Sequence, residues 1–188
     1  MNNAYLIPVT KMLDIKKIED YNQEFIKVYQ DKYKPFVTRD NFDSYLKQMN
    51  DFKEGIGNNG LKEIYYWFID NDKIVGSASI RLNPEVDEIT NKYAGNIFYQ
   101  IVPTYRKQGY GKQICHLLLK EMQSLGFKEA ILTCYDTNIG SINIIEENGG
   151  ELLETIKGDG SLNSDHLNTR RYKIDIEKSL KEYIGRNK

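Results

Sequence analysis

Cysteine, histidine and net charge are all scarce in this 188-residue chain, which has two cysteines, two histidines and a formal charge of −1. Two cysteines cannot build a disulfide framework; Cys115 lies in a helical pattern and Cys134 in a strand pattern, and they read as two reduced core thiols. His116 and His166 share no metal-ligand spacing with them, so no metal is expected. Near-balanced charge and a pI of about 6.2 leave no global basic field, which argues against nucleic acid as a partner. No apolar run is long enough to span a bilayer, and Met1 to Pro8 carries no basic leader, so the expectation is a cytoplasmic protein with no membrane partner. With 40% hydrophobic and 28% charged residues, the chain can bury one sizeable core. Residues 1–188 therefore read as a single α/β domain.

The hydrophobic pattern predicts a strand over Ala4 to Val9, then a long helix carrying Ile15, Ile18, Phe25, Val28 and Tyr29 and ending by Pro35. A second helix starts at Asp40 or Asn41 with the stripe Phe42, Tyr45, Leu46 and Met49, and stops at the glycine cluster 55–60. Ile64 to Ile69 and Ile74 to Leu82 form a hairpin turned by Asp70-Asn71-Asp72. A polar loop over Asn83 to Lys92 leads to a fourth strand, Gly95 to Val102. A helix with the stripe Ile114, Leu117, Leu118, Met122 and Leu125 follows, closed by Gly126. Ala130 to Tyr135, Leu152 to Ile156 and Arg171 to Ile176 read as strands, Ser141 to Glu147 as a helix, and Gly158 to Asn168 as a turn-rich loop.

The most informative segment is Ile101-Val102-Pro103-Thr104-Tyr105-Arg106-Lys107-Gln108-Gly109-Tyr110-Gly111-Lys112, a strand-to-helix turn that is basic and punctuated by glycine. Glycines let a backbone approach a ligand closely, and the N–H groups that open a helix favour anions. With Arg106, Lys107 and Lys112 around it, the turn suits a diphosphate. It is not a P-loop, because Arg106 and Gln113 stand where glycine and a hydroxyl residue are needed. Nor is it a dinucleotide fingerprint, because Ile114 occupies the third glycine position. A formal G-x-G-x-x-G at Gly55, Gly57 and Gly60 follows a helix and precedes a strand, the reverse of the required context, and reads as a loop.

What remains, R-x-x-G-x-G, resembles motif A of the GNAT acetyltransferase superfamily. Asn138-Ile139-Gly140-Ser141 through Gly150 resembles a second block of that family, and Arg171-Tyr172-Lys173-Ile174 is similar to its closing strand. The resemblance spans roughly Lys73 to Ile176. It implies an α/β (α+β) fold with a mixed, mostly antiparallel central sheet, a splayed parallel pair formed by the fourth and fifth strands, and helices on both faces. It also implies acetyl-coenzyme A as cosubstrate and an N-acetyltransferase that passes acetyl directly to a primary amine, expected to be a small molecule. A homodimer is compatible with it.

Carried over residue by residue, the resemblance assigns the pantetheine arm to ladder-free backbone near Tyr99 to Val102, with an Ile101 N–H polarising the thioester. The pyrophosphate goes to the N–H groups of Gln108, Gly109, Tyr110, Gly111 and Lys112, with Arg106 and Lys107 opening the turn. Asn138 would contact the pantetheine and Ser141 would lie beside the cofactor, although Asn138 also suits a helix N-cap. Where many family members carry a tyrosine that protonates the departing thiolate, this chain has Ile145. Tyr99, Cys134 and Tyr135 are the candidate replacements, and packing explains each of them equally simply. The missing tyrosine keeps open a second reading, a catalytically silent coenzyme A sensor. Glu63, Asp136 and Glu146 are the carboxylates in or beside the core elements that could take the ammonium proton. The acceptor pocket is expected between the first two helices and the loop Gly158 to Asn168.

Overall fold

The computed structural model describes residues 3–11, 14–158 and 167–186, the side chains of 184–186 excepted. Its elements are β1 (Tyr5–Pro8), α1 (Ile15–Tyr29), α2 (Phe42–Lys53), β2 (Glu63–Asp70), β3 (Lys73–Arg81), α3 (Glu88–Tyr93), β4 (Ile97–Ile101), α4 (Tyr110–Ser124), β5 (Glu129–Tyr135), α5 (Ile139–Glu147), β6 (Glu151–Ile156), β7 (Thr169–Asp175) and α6 (Ile176–Arg186). The strands form a four-stranded sheet, β1-β2-β3-β4, and a three-stranded sheet, β5-β7-β6, rather than the single central sheet expected. Every ladder within them is antiparallel.

The first sheet is covered on both faces. Ile18, Tyr21 and Phe25 of α1 and Tyr45 and Met49 of α2 pack with Trp67 and Ile69 on one side. On the other, Ile114, Cys115, Leu118, Leu119 and Met122 of α4 pack with Phe68, Ile80 and Ile97, and with Leu132, Tyr172 and Ile174 of the second sheet. Fully burying such a side chain contributes roughly 1.5–3 kcal/mol, so α4, apolar to both sheets, is the element that holds them together.

Asn96 joins the sheets along their edges. Its carbonyl accepts from Arg81 N–H at 2.7 Å and its Nδ2 donates to the Arg81 carbonyl at 3.1 Å. Its N–H donates to the Ile131 carbonyl at 2.7 Å and its Oδ1 accepts from Ile131 N–H at 2.9 Å. One buried residue thus makes two bonds to each sheet, one from its backbone and one from its side chain. Gly95 permits the approach, since a Cβ there would lie 2.5 Å from the Ile131 carbonyl oxygen. Beyond this joint β4 and β5 part.

Two helices differ from the sequence reading. The polar loop at 83–92 contains α3, whose N-cap Asp87 accepts from Thr90 N–H at 2.7 Å. The chain also continues past the last predicted strand into α6, where Asp175 caps Lys178 N–H at 2.9 Å and Ile176 and Leu180 enter the core. Ile176, Leu180 and Tyr183, spaced four and three residues apart behind an aspartate, were the signal for that helix.

Candidate active site

The phase of the β3–β4 ladder decides which backbone groups of β4 face the opening. Arg81 N–H bonds the Asn96 carbonyl at one end and Val102 N–H bonds the Val75 carbonyl at 3.0 Å at the other. Antiparallel alternation then points Phe98 and Gln100 at β3 and turns the N–H and C=O of Ile97, Tyr99 and Ile101 away from it. The ladder-free stretch accordingly ends at Ile101: Val102 has its N–H on Val75 and its carbonyl accepting from Tyr105 N–H at 2.9 Å, which corrects the expectation that Val102 lacks partners.

The turn after β4 is a cradle of backbone N–H groups. Lys107 and Gly109 both take positive φ, 59° and 85°, and Gly109 is the N-cap of α4. The helix ladder begins with Gln113 N–H on the Gly109 carbonyl at 3.2 Å. Among the described residues, no carbonyl accepts the N–H of Lys107, Gln108, Gly109, Gly111 or Lys112. A Cβ on Gly109 would meet nothing within 4 Å, so that side of the turn is open. The two glycines do different work, because a Cβ on Gly111 would lie 2.5 Å from Cδ1 of Ile144, making Gly111 a contact point between α4 and α5.

The side chains around the cradle are largely engaged. Arg106 donates from Nε to the Ile101 carbonyl at 3.0 Å and from its terminal nitrogen to the Tyr29 hydroxyl at 2.9 Å, so it braces the strand end against α1. Gln108 Nε2 donates to the Thr104 carbonyl at 2.9 Å, and Lys112 pairs with Glu147 at 3.2 Å. Tyr110 turns inward and donates to the buried carboxylate of Asp70 at 2.7 Å. Lys107 is exposed.

Between the parted strands lies a cleft of about 300 Å³. Tyr99, Cys134, Tyr135, Asn138, Ser141 and Ile145 all line it, so the structure gathers the three candidate catalytic residues with both residues of the second block. Asn138 is the N-cap of α5, its Oδ1 accepting from Ser141 N–H at 3.1 Å. The Tyr99 hydroxyl is buried and has no partner of normal hydrogen-bond geometry among the described residues. Burial raises its pKa far above the ordinary phenol value, with Cys115 adding to the rise and Ser141 opposing it. Burial likewise pushes the Cys134 thiol up to about 11 against the pull of Arg170, so it stays a neutral thiol; Cys115 is pushed up to about 12. Both cysteines are free, and Cys134 is half-buried in the cleft rather than a core thiol. Ile145 is fully buried where the resemblance places a tyrosine.

The three candidate proton acceptors already hold protein donors. Glu63 is buried and accepts from Ser79 Oγ at 2.5 Å and Tyr65 hydroxyl at 2.9 Å, with Arg81 Nε at 3.3 Å. Asp136 accepts from Asn168 Nδ2 at 2.9 Å, and Glu146 from the Tyr172 hydroxyl at 3.1 Å. Among the described residues, no group of three His, Cys, Asp or Glu could hold a metal ion. His166 and the loop at 159–166, expected to wall an acceptor pocket, lie outside the described residues.

A second cavity, of about 350 Å³, lies on the α1–α2 side of the first sheet, where the sequence placed an acceptor pocket without naming the residues that line it. Its floor is Ser77 and Gln100, whose Nε2 donates to Ser77 Oγ at 3.0 Å and to the Tyr21 hydroxyl at 2.9 Å. Phe36, Tyr45, Tyr65, Trp67 and Phe98 stand around it, and Phe98 also lines the β4–β5 cleft. The serines on β3 were the signal: Ser77 and Ser79 are small polar residues on a face otherwise packed with large rings.

Comparison with known proteins agrees with this geometry. The description of the Acetyltransferase (GNAT) family matches residues 19–149. No curated protein matches the chain in sequence. Among solved structures, the fold is similar to mutant forms of the spermidine/spermine N-acetyltransferase SpeG from Vibrio cholerae, with a TM-score of 0.61 and 16% identity over 96% of this chain and 99% of that one. It is also similar to a Salmonella typhimurium acetyltransferase that modifies the N-terminal serine of ribosomal protein L7/L12, at TM-score 0.60 and 17% identity over 89% of this chain and 97% of that one. A third is yncA, a putative acetyltransferase from Salmonella typhimurium solved with acetyl-CoA, at TM-score 0.60 and 12% identity over 93% and 95% of the two chains. Identities this low establish the fold alone, but the family match covers well over half of the chain: this protein belongs to the acetyltransferase (GNAT) family.

Proposed function

We propose that this protein transfers an acetyl group from acetyl-coenzyme A directly to the primary amine of a small molecule, with no covalent enzyme intermediate. The observation that carries the reading is that β4, which edges the β4–β5 opening, runs directly into a turn where the N–H groups of Lys107, Gln108, Gly109, Gly111 and Lys112 have no carbonyl partner among the described residues. A nucleotide-tailed thioester needs both: donors for its diphosphate, and a slot with free backbone groups for its amide-bearing arm. The residues present fit that molecule. The turn from Lys107 to Lys112 offers its N–H groups to the diphosphate, with Gly109 leaving the approach open.

Along the edge of β4 turned away from β3, Tyr99 and Ile101 present backbone groups to the pantetheine, and Ile101 N–H is the donor for the thioester oxygen, where charge builds during attack. Arg106 holds the Ile101 carbonyl and so fixes that peptide's orientation. Tyr99 is the proton donor we assign in place of the tyrosine replaced by Ile145. Its hydroxyl remains protonated at neutral pH, with Ser141 as its polar neighbour in the cleft. A thiol with a pKa near 8.5 needs little help to leave, so this donor accelerates the reaction rather than enabling it.

The test is coenzyme A release in the presence of a panel of amines. Stabilisation by acetyl-coenzyme A in a thermal-shift assay, with no thiol release on any amine, would instead identify the silent sensor. Absence of stabilisation at saturating acetyl-coenzyme A would sink both.

A further inference from the structure

The cavity on the α1–α2 face sits opposite the cleft across β4, and Phe98, 44% exposed, lines both. Resting on the transferase reading, we infer that this cavity receives the acceptor, and that the acceptor is a monoamine with a flat apolar body rather than a polyamine or a protein terminus. Three features of the cavity argue for this.

The first is charge. Among the described residues, no Asp, Glu, Lys or Arg lines the cavity, and those of the adjoining depression, Phe36, Asn41, Ser44, Tyr45 and Gln48, are uncharged as well. A polyamine brings several ammonium groups, and each one removed from water needs a counter-charge or a set of acceptors. Glu63 supplies neither, because Tyr65, Ser79 and Arg81 already surround its carboxylate and it does not line the space.

The second is the wall. Phe36, Tyr45, Tyr65, Trp67 and Phe98 offer ring faces and edges to a planar apolar group, for which offset or edge-to-face contacts contribute beyond simple burial. They also attract one ammonium through their π faces. The floor adds the Ser77 hydroxyl and the Gln100 amide, whose NH₂ is already directed at Ser77 and Tyr21, leaving its carbonyl oxygen as an acceptor for an ammonium.

The third is size. About 350 Å³ lies at the lower end of the roughly 300–1,000 Å³ typical of small-ligand sites, which suits a single-ring amine. The walls are pinned by the α1 and α2 core, with Trp67 and Tyr45 both buried there. The site is thus largely preformed.

Trp67 is the chain's single tryptophan and lines the cavity, so its fluorescence reports occupancy without any turnover. Titration with 2-phenylethylamine should change the emission saturably, and spermidine should not. Phe36, 47% exposed, can be truncated without opening the core, and Phe36→Ala should weaken 2-phenylethylamine at least tenfold while leaving stabilisation by acetyl-coenzyme A unchanged. In the thiol-release assay 2-phenylethylamine should exceed spermidine in kcat/KM by tenfold or more. Saturable spermidine binding at Trp67, turnover favouring spermidine, or an unmoved Trp67 signal with 2-phenylethylamine would each overturn the inference. Saturable binding of 2-phenylethylamine with no thiol release would support the cavity's ligand class and count against the transferase reading, so the two failures are distinct.

Discussion

Asn96, just before β4, and Tyr99, three residues later within it, carry buried polar atoms that meet opposite fates. The Asn96 amide makes one bond to each sheet, whereas Tyr99 lines the cleft. Removing the first is therefore a stability experiment. Asn96→Ala strands the N–H of Ile131 beside β4 and should lower stability by about 2–4 kcal/mol, measured by denaturant unfolding. Removing the second is a kinetic one. Tyr99→Phe keeps the ring and should lower kcat by roughly tenfold to a hundredfold with KM for acetyl-coenzyme A little changed; an unchanged kcat would take the proton donor away from β4. Cys134→Ala serves as the contrast: with Tyr99 as the donor, kcat should fall less than twofold. The sequence brought Tyr99, Cys134 and Tyr135 forward only because they fall on the two strands flanking a thioester. That a single hydroxyl among them would be buried and unpartnered depends on Ile145, Cys115 and Ser141 around it, which adjacency in sequence does not reveal.

At the scale of elements, the start of α4 was the most legible feature, because turn chemistry is local. A glycine at φ 85° followed by a helix requires its own dihedral angles and no distant partner. Gly109→Glu places a side chain and a negative charge on the open side of the cradle. It should raise the Kd for acetyl-coenzyme A at least a hundredfold, while the positive φ costs only about 1–2 kcal/mol of stability. Retained affinity, read by calorimetry, would move the diphosphate away from this turn. Gly111 was less legible, since its need for glycine comes from Ile144 on another helix. Helix α6 was missed for a simpler reason: the strand pattern of Arg171 to Ile176 runs straight into it, and the cap at Asp175 sits inside that pattern.

For the whole molecule, α6 closes the second sheet onto α4 through His116, whose ring stacks on Tyr183 at 3.5 Å. Burial, with Lys120 nearby, lowers the His116 pKa from 6.5 to about 4, and its Nδ1 has no described partner. The unfolded chain therefore takes up this proton first as pH falls. The neutral ring's contribution is complete above about pH 6.5 and is lost between 6.5 and 4. His116→Phe keeps a flat ring without the titration, so its thermal stability should fall less steeply across that interval than that of the parent protein. Parallel slopes would show that carboxylates alone govern the acid limb. Among the described residues, no helix is long and apolar enough to cross a membrane.

Strands β1 to β7, helices α1, α2, α4 and α5, the glycine turn before α4 and the family were readable from the chain, because periodicity, glycine placement and capping act over a few residues and leave their mark in consecutive letters. The joint that Asn96 makes with β5, the occupied N–H of Val102 and the lining of the aromatic cavity were decided by the tertiary structure. Each depends on ladder phase and on groups brought together from distant segments: Asn96 onto Ile131, Val75 onto Val102, and Phe36 over Ser77 and Gln100. Local pattern fixes which face a residue occupies, but only the register between strands and the packing of α1 and α2 fix what that face confronts.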